Sequence, residues 1–388
     1  MENIKFPEPD LEYMTRIRRE IHAYPELGFE LEHTVMVVER ELTALGIPYT
    51  EKYGKGSVVG YIGPEQAKKT IGLRGDMDAL PIEELRDLPF ASKIPGKMHA
   101  CGHDTHTTVL LGAAKILKAI EKDLKCRVKL IFQPAEEICP SGGEMMVNNG
   151  VMDDVDEVIT THIKPGLPTG KISLNKTCMN ASCHSFVAKV YGKRAHVAYP
   201  EQGVDAIAIA NRFYMAIQEM RAREVSPFEP LIINVGAMNG GTAANIICDY
   251  VEMAVTVRTH SDVIDDFVYN RINLLAQAAC LGQEGHIDVE WDPLTPAVHN
   301  DHKIADRIID IGTRLLGAEN VENMPLQMGS EDFAFYLRDK PGARFMYGCA
   351  SPEVGPTVGH NGNLFVDENA FPVPVKIFVT YVLENMED

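Results

Sequence analysis

Hydrophobic residues in the first part of the chain recur at two spacings, one typical of helices and one typical of buried strands. Helical spacing of Leu11, Met14, Ile17 and Ile21 predicts an amphipathic helix over 11–23, and a second helix over 34–45 ends at Gly46. Mostly apolar runs predict strands at 57–62, 70–74, 128–132 and 158–161, and a helix is predicted at 107–120. Because strands and helices alternate, we predict an α/β fold with a mostly parallel sheet and helices on both faces.

The middle of the chain has a different order of elements. The pattern predicts a strand, a helix, two strands, a helix and a strand, at 185–191, 204–221, 231–237, 250–258, 262–279 and 286–291. This βαββαβ order is the signature of a compact two-layer domain. We therefore predict a discontinuous catalytic domain, residues 1–177 and 294–388, with a smaller domain of residues 178–293 inserted into it. The last part contains a helix at 301–315, a strand at 344–348 and a helix at 375–384, with Pro372 and Pro374 just ahead of that helix.

The acidic composition limits what the protein binds. The 388 residues include 55 acidic and 37 basic ones, a net charge of -18, which argues against a nucleic-acid partner and against an anionic membrane surface. The 8 cysteines form no CxxC pair, which fits a reducing compartment. The N-terminal sequence lacks the layout of a signal peptide, and no run of about 18 apolar residues occurs. We expect a cytoplasmic protein.

Residues that bind metal or move protons follow three of the predicted strands: Asp76 and Asp78, Glu136 and Glu137, and His162. The carboxyl ends of parallel strands meet at one edge of a sheet, so we expect these side chains to lie together. Ionised carboxylates resist burial unless something compensates their charge, and a metal pair can do so. Of two adjacent carboxylates, one can bind a metal while the other moves protons. For a lone Glu-Glu pair, a solvated acidic loop would be the ordinary alternative.

A thiol and several imidazoles complete the candidate site. The segment His99-Ala100-Cys101-Gly102-His103-Asp104-Thr105-His106 is expected just before a helix, and His360 lies in a glycine-flanked loop. Thiolate, imidazole and carboxylate together suit Zn²⁺, Mn²⁺, Co²⁺ or Ni²⁺ rather than Mg²⁺. Five or more candidates exceed the four ligands of a structural zinc site and suit a two-metal hydrolytic centre. Each residue alone is more often an ordinary core or loop residue, so only their joint placement points to a metal site.

Five motifs resemble those of the dinuclear metal-dependent aminoacylase/carboxypeptidase family of metallopeptidases. The branch is the amidohydrolases that include auxin-conjugate hydrolases, hippurate hydrolases and N-acyl-L-amino-acid deacylases. The motifs span almost the whole chain and are Arg19–Glu30, Arg74–Pro81, His99–Asp104, Phe132–Glu137 and Gly329–Phe333.

The resemblance implies two divalent metal ions (Zn, Mn, Co or Ni) held by Cys101, His103, Glu137, His162 and His360. Cys101 would bridge the two ions, and Glu136 would act first as general base and then as general acid. We expect Asp76 and Asp78 to support the ligands from behind rather than to bind metal.

The resemblance also implies that the inserted domain is a lid that forms a homodimer, with a tetramer as the alternative. His196 resembles the lid histidine that stabilises the oxyanion, and Asn245 and Arg258 resemble lid residues near the substrate. The ordinary alternatives are a surface histidine, a turn asparagine and an ion pair. This sequence departs from the usual pattern of the family at three positions, Arg194, Glu201 and Asn361. These changes put the usual substrate preference in doubt more than the chemistry.

The sequence as a whole predicts hydrolysis of the amide bond of an N-acyl-L-amino acid, with an N-acetyl, N-benzoyl or related acyl group. A dipeptidase or carboxypeptidase on the same scaffold is the nearest alternative. A binding protein without catalysis is disfavoured because Glu136 and all five ligand candidates are present. A serine or cysteine hydrolase is disfavoured because no GxSxG turn occurs.

Overall fold

The computed structural model describes residues 5–386, and within that range the chain forms two compact units. The first unit comprises the described residues through Met179, His299–Pro325 and the described residues from Asp332 onward. The second unit comprises Asn180–Val298 and Leu326–Glu331. Residues 1–4, which belong to the segment that lacks a signal-peptide pattern, and residues 387–388 lie outside the described range.

The described residues form helices and strands in a mixed order along the chain. The helices are α1 (Leu11–Ala23), α2 (Glu32–Ala44), α3 (His103–Ala119), α4 (Gly142–Asn148), α5 (Ala206–Arg223), α6 (Asp262–Ala279), α7 (His302–Leu316) and α8 (Pro372–Asn385). The strands are β1 (Tyr49–Thr50), β2 (Val58–Ile62), β3 (Thr70–Asp76), β4 (Arg127–Gln133), β5 (Glu157–Pro168), β6 (Ile172–Leu174), β7 (Cys178–Asn180), β8 (His184–Tyr191), β9 (Ala195–His196), β10 (Leu231–Gly240), β11 (Ile246–Ile247), β12 (Tyr250–Thr259), β13 (His286–Trp291), β14 (Val298–His299), β15 (Val321–Asn323) and β16 (Gly342–Ala350). None of the helices in this part of the chain is long and apolar enough to cross a membrane.

An eight-stranded sheet lies at the centre of the first unit, in the order β1-β2-β4-β3-β5-β16-β6-β15. The four middle strands, β4, β3, β5 and β16, run parallel to one another, whereas β1, β2 and β6 each make an antiparallel pair. β3 is buried along its whole length and β4 along nearly all of it, as expected for strands in the middle of a sheet that is covered on both faces. The predicted α/β fold with a mostly parallel sheet is confirmed.

Two helices begin three or more residues earlier than the sequence predicts. α3 begins at His103 rather than at residue 107, because Gly102 takes a left-handed conformation (φ 85°) and starts the helix. The segment from His103 to His106 therefore forms the first helical turn and does not precede the helix. α8 begins at Pro372, so Pro372 and Pro374 lie inside its first turn, where a missing N–H leaves no helical hydrogen bond unmade.

β5 is longer than the sequence predicts. It continues through His162 to Pro168 because β16 pairs with it as far as the partners Ala350 and Pro168. The prediction that His162 ends a strand is therefore wrong, since His162 lies in the middle of one. The short helix α4, which follows the turn after β4, was not predicted at all.

The second unit is a four-stranded antiparallel sheet, in the order β10-β12-β8-β13, packed against α5 and α6. Residues of β8 alternate between buried and partly buried, which is the period of a strand with one face on a core. Phe186 of β8, Phe213 of α5 and Ile272 of α6 meet in that core. The elements follow the predicted βαββαβ order.

The second unit differs from the predicted insertion, residues 178–293, in its boundaries. It continues to Val298 and also includes Leu326–Glu331, a segment that the sequence predicts to be part of the catalytic domain. This segment belongs to the second unit because the carbonyl of Gln327 accepts hydrogen bonds from Ala181 N–H and from His260 Nε2, at 3.1 and 2.8 Å. Such long-range pairing leaves no local trace in the sequence.

A buried carboxyl group in the second unit predicts a pH-dependent stability. Asp265 is buried, its Oδ1 has no hydrogen-bond partner, and burial, with Asp262 and Asp266, raises the pKa of Asp265 to about 6. The unfolded value is about 3.9. The stability that Asp265 contributes is therefore present below about pH 4 and is lost as pH rises through about 6. We expect Asp265→Asn to raise the thermal unfolding midpoint at about pH 7 much more than at about pH 4.

Circular dichroism melts at both pH values check this prediction. Glu284→Gln is the matched control, because Glu284 is exposed in the same unit and should change neither midpoint. An equal shift for Asp265→Asn at both pH values would contradict the assignment.

Candidate metal centre

The turn that follows β4 carries Glu136 and Glu137 and is held by a single carboxylate. Ala135 takes a left-handed conformation (φ 54°), which costs an L-residue about 1–2 kcal/mol. Asp78 holds the turn, since its two oxygens accept the backbone N–H groups of Glu136 and Glu137 at 2.9 and 3.1 Å. The main chain of both glutamates is thereby fixed, and their side chains are only partly exposed.

Gly102 lets Cys101 and His103 approach the same place. A Cβ atom on Gly102 would lie 2.4 Å from Cδ1 of Ile163, so the left-handed turn before α3 accepts no larger residue. His103 is fully buried, with Nδ1 3.4 Å from Asp78 Oδ1 and Nε2 3.9 Å from Glu137 Oε1. Asp78 thus lies behind both His103 and the turn that carries the two glutamates.

Two further histidines near Cys101 differ in which ring nitrogens are available. His162 donates Nδ1–H to the carbonyl of Ile163 at 2.8 Å, which leaves Nε2 facing Cys101 Sγ at 3.3 Å. His106 accepts the N–H of Ile163 at Nε2 (3.0 Å) and therefore donates from Nδ1 to Asp76 (2.6 Å). His162 can bind a metal, whereas both nitrogens of His106 are already used.

His360 reaches the cluster from the loop that precedes α8. Its backbone is left-handed (φ 56°) and its N–H donates to the carbonyl of Ala100 at 2.7 Å. Its Nε2 lies 3.3 Å from Glu137 Oε1, and this contact raises the pKa of His360. Burial opposes ionisation of Glu137, but His360 and His103 outweigh burial and lower the pKa of Glu137. Glu137 is therefore an ionised carboxylate facing two imidazoles.

The buried ligand atoms of this cluster are suited to binding divalent metal ions. Both ring nitrogens of His103 and Oε1 of Glu137 are buried without a hydrogen-bond partner. Such atoms are rare in folded proteins because leaving them unbonded costs about 1–3 kcal/mol each. Ligand atoms lie within 4.8 Å of one another in two groups that share Cys101, namely Cys101, His103 and His162, and Cys101, Glu137 and His360. The structure thus brings all five predicted ligand residues together in a pattern that suits two ions.

The protonation of the donors also suits a metal. Burial lowers the pKa of His162 well below its usual value, so its ring is neutral and Nε2 carries a free lone pair. Burial raises the pKa of the Cys101 thiol, and a thiolate at this buried position needs a cation beside it. Thiolate, neutral imidazole and carboxylate are the ligands that zinc and similar metals accept.

A buried charge network holds Asp76 behind the cluster. Arg74 donates to Gln133, Asp76 and Asp332 at 2.9, 2.6 and 2.7 Å. Asp332 also accepts from Gln133 Nε2 and from the N–H of Gly143, at 2.7 and 2.9 Å. Burial opposes ionisation of Asp76, but His103 and Arg74 outweigh burial and hold its pKa well below the usual range. Asp76 and Asp78 are therefore hydrogen-bonded to segments that carry candidate ligands. Asp76 accepts from His106 of α3, and Asp78 accepts from the turn of Glu136 and Glu137.

Three predicted site residues lie in the second unit. His196 lies in β9, which pairs with β11, and the carbonyl of Asn245 accepts the N–H of Val197 at 3.3 Å. Arg258, in β12, donates Nη1–H to the carbonyl of Met328 at 3.1 Å. The roles of His196, Asn245 and Arg258 towards a substrate stay predictions.

The three positions that depart from the family's usual pattern have different surroundings. Arg194 is paired with Asp249 at 2.9 Å, so its charge is balanced within the second unit. The side chain of Asn361 accepts the N–H of Asn363 at 2.9 Å and shapes the loop after His360. Glu201 is exposed.

The contacts of His106, Arg74 and Asp332 are not predicted from the sequence. The three-residue spacing of His103 and His106 is a signal that both lie on one helical face, but only once α3 is known to begin at His103. Arg74 and Asp332 lie 258 residues apart, and both occur in the motifs on which the family resemblance depends. Nothing local in either motif predicts that the two side chains pair.

The chain is similar to known relatives over nearly its whole length. It is 35% identical over 382 residues to IAA-amino acid hydrolase ILR1-like 4 of Arabidopsis thaliana, covering 96% of this chain and 86% of that protein. It is 36% identical over 354 residues to N-acetyl-L-cysteine deacetylase of Bacillus subtilis, covering 91% and 83%. It is 34% identical over 362 residues to thermostable carboxypeptidase 1 of Saccharolobus solfataricus, covering 92% and 91%.

A solved structure and a family model agree with these similarities. The fold resembles that of the Bacillus subtilis YXEP protein, described as a dinuclear metal binding peptidase from the M20 family. The TM-score is 0.84 at 29% identity, covering 97% of this chain and 98% of that one. The model of peptidase family M20/M25/M40 matches residues 72–384. This chain belongs to peptidase family M20/M25/M40.

Proposed function

We propose that this protein is a metal-dependent amidohydrolase that cleaves N-acyl-L-amino acids to a carboxylate and a free amino acid. One observation carries the proposal: Glu136 lies next to Glu137 in a turn fixed by Asp78, beside a cluster of buried donors without partners. The similarity to an auxin-conjugate hydrolase and to an N-acetyl-L-cysteine deacetylase supports the acylated amino acid as substrate.

Two divalent ions, drawn from Zn, Mn, Co or Ni, would be held by Cys101, His103 and His162 and by Cys101, Glu137 and His360. When bound, such a pair lowers the pKa of a water and polarises a carbonyl group. The positions of these ligands are set by hydrogen bonds within the protein, which the glutamate turn donates to Asp78 and the N–H of His360 donates to the carbonyl of Ala100.

Glu136 is the proposed proton carrier. Its main chain is held by Asp78, and its Oε2 lies 4.0 Å from Nε2 of His103, so its carboxylate faces the ligand cluster without belonging to either ligand group that shares Cys101. In the proposed reaction Glu136 takes a proton from the attacking water and delivers it to the leaving amine.

The second unit supplies the remaining groups in this proposal. His196 would stabilise the oxyanion that forms on the amide carbonyl, and closure of the lid would exclude water. Asn245 and Arg258 would bind the α-carboxylate of the substrate, for which a guanidinium has the matching fork of donors.

The second unit would also form a homodimer. Ile207 and Met215 on α5 are 47% and 57% exposed, and exposed apolar side chains on one helix support an interface there. Sedimentation velocity tests this, and a monomer at micromolar concentration would exclude it.

The nearest alternative, a dipeptidase or carboxypeptidase, is favoured by the similarity to thermostable carboxypeptidase 1. Release of free amine from N-acetyl-, N-benzoyl- and indoleacetyl-L-amino acids and from dipeptides distinguishes the two. The chain is stripped of metal and supplied with Zn²⁺, Mn²⁺, Co²⁺ or Ni²⁺ in turn. We expect metal-dependent cleavage of the acylated amino acids, whose acyl groups, unlike those of dipeptides, carry no free amine. Cleavage of dipeptides alone would contradict the amidohydrolase proposal.

The change Glu136→Gln tests the proton carrier. Glutamine keeps the size of the side chain and the backbone N–H that Asp78 accepts, but it cannot take a proton. We expect metal content to be retained and kcat to fall by roughly 10²- to 10⁴-fold, the usual contribution of general acid–base catalysis. Metal content by mass spectrometry and initial rates on the cleaved substrate measure the two effects, and unchanged kcat would remove Glu136 from this role.

The change Glu137→Ala tests the neighbouring ligand. Its carboxylate faces His360 and His103, and its loss would remove one donor from the ligand group that contains His360. We expect loss of both activity and part of the bound metal, measured after dialysis against a buffered free metal concentration. Glu136→Gln is the matched control, since it alters the adjacent carboxylate. Full metal content in Glu137→Ala would refute its assignment as a ligand.

A further inference from the structure

His22, at the end of α1, is a buried imidazole that lies between two carboxylates. Its ring is 1% exposed, with Nδ1 2.8 Å from Asp104 Oδ2 and Nε2 3.1 Å from Glu84 Oε1. Nδ1 also lies 3.2 Å from Nη2 of Arg18, but the shorter contact with the Asp104 acceptor places a hydrogen on Nδ1. Nε2 likewise donates to Glu84, so both nitrogens carry a hydrogen and the ring is an imidazolium. Burial and Arg18 lower the pKa of His22, but Asp104 and Glu84 outweigh them and raise it.

The Nδ1 side of His22 leads to one ligand segment. Asp104 is the residue directly after His103 in the first turn of α3, and the two side chains contact different groups. Asp104 is fully buried and also accepts from Nε of Arg18 at 2.8 Å. The main chain at His103 is therefore held from behind by two cations of α1.

The Nε2 side of His22 leads to the loop of His360. Glu84 is followed by Leu85, whose N–H donates to the carbonyl of Gly362 at 2.8 Å. The next residue, Arg86, donates to the carbonyl of Asn363 at 2.8 Å. These acceptors lie two and three residues after His360, so the position of Glu84 constrains that loop.

We propose that His22 is a positioning residue that sets the spacing between His103 and His360. These two histidines belong to different ligand groups, which share Cys101. Through its two hydrogen bonds, the His22 imidazolium thus fixes one candidate ligand of each group, His103 and His360, without contacting either histidine. This inference rests on the dinuclear centre of the proposed function.

Two substitutions separate the two sides of His22. The amide nitrogen of asparagine in His22→Asn replaces Nδ1 and keeps the hydrogen bond to Asp104, whereas that of glutamine in His22→Gln replaces Nε2 and keeps the bond to Glu84. Both variants are made in a His360→Ala background, in which only the position of Cys101, His103 and His162 is left complete. Zn²⁺ affinity is measured by competition with a chelator. In this background we expect His22→Gln to weaken Zn²⁺ binding by about 10- to 100-fold, the usual effect of losing a group that orients a ligand, and His22→Asn to weaken it much less. In a His103→Ala background, which leaves the position of Cys101, Glu137 and His360, the order of the two variants should be reversed.

A change in α1 that lacks these contacts serves as the control. Ile21 is fully buried next to His22, so Ile21→Ala lowers the thermal midpoint of the metal-free chain without touching Asp104 or Glu84. Its Zn²⁺ affinity should equal that of the His360→Ala parent. Equal affinity losses in His22→Asn and His22→Gln, or none in either, would overturn the positioning role while leaving the metal centre intact. Absence of Zn²⁺ binding by the unmutated chain would overturn both the metal centre and this inference.

Discussion

Burial of ionised groups beside the carboxyl ends of the central strands is the constraint on which the rest of this site depends. Asp76, Asp78 and Asp104 are fully buried, and each is held by specific donors. Those donors are Arg74 and His106 for Asp76, two backbone N–H groups for Asp78, and Arg18 and His22 for Asp104. Removing one partner from a buried charge pair costs about 3–5 kcal/mol, so Asp76 and Asp104 lock the segments around them together, while Asp78 holds the glutamate turn through two hydrogen bonds. The segments that they lock carry the candidate ligands.

The same region contains polar atoms that the protein does not satisfy. His103 has both ring nitrogens buried without a hydrogen-bond partner, and Glu137 has one such oxygen, although the carboxylates of Asp76 and Asp78, which accept hydrogen bonds at both oxygens, lie a few ångströms from His103. The contrast separates groups that support from groups that are left for a cation. Because the supporting hydrogen bonds are made within the protein, the candidate metal ligands are held in position without a bound metal. Fixed donors of this kind lower the reorganisation that catalysis would otherwise require.

The sequence predicts the parts of this arrangement that depend on local pattern. Glu136 and Glu137 follow a buried strand, as the apolar run 128–132 indicates, and α1 and α6 have their predicted bounds. The errors come from long-range pairing: β5 extends past His162 because β16 continues beside it. The left-handed Gly102 starts α3 four residues early, and sequence spacing alone does not report a backbone conformation. The bond between Arg74 and Asp332 joins positions that only the folded chain brings together.

A crystal structure of the zinc-loaded protein, with anomalous diffraction measured on both sides of the zinc absorption edge, tests the central claim most directly. Two ordered zinc peaks about 3.5–4 Å apart are expected, with Cys101 beside both, His103 and His162 beside one, and Glu137 and His360 beside the other. A single peak with four of these ligands, or peaks that none of them contacts, would contradict a dinuclear centre at this site.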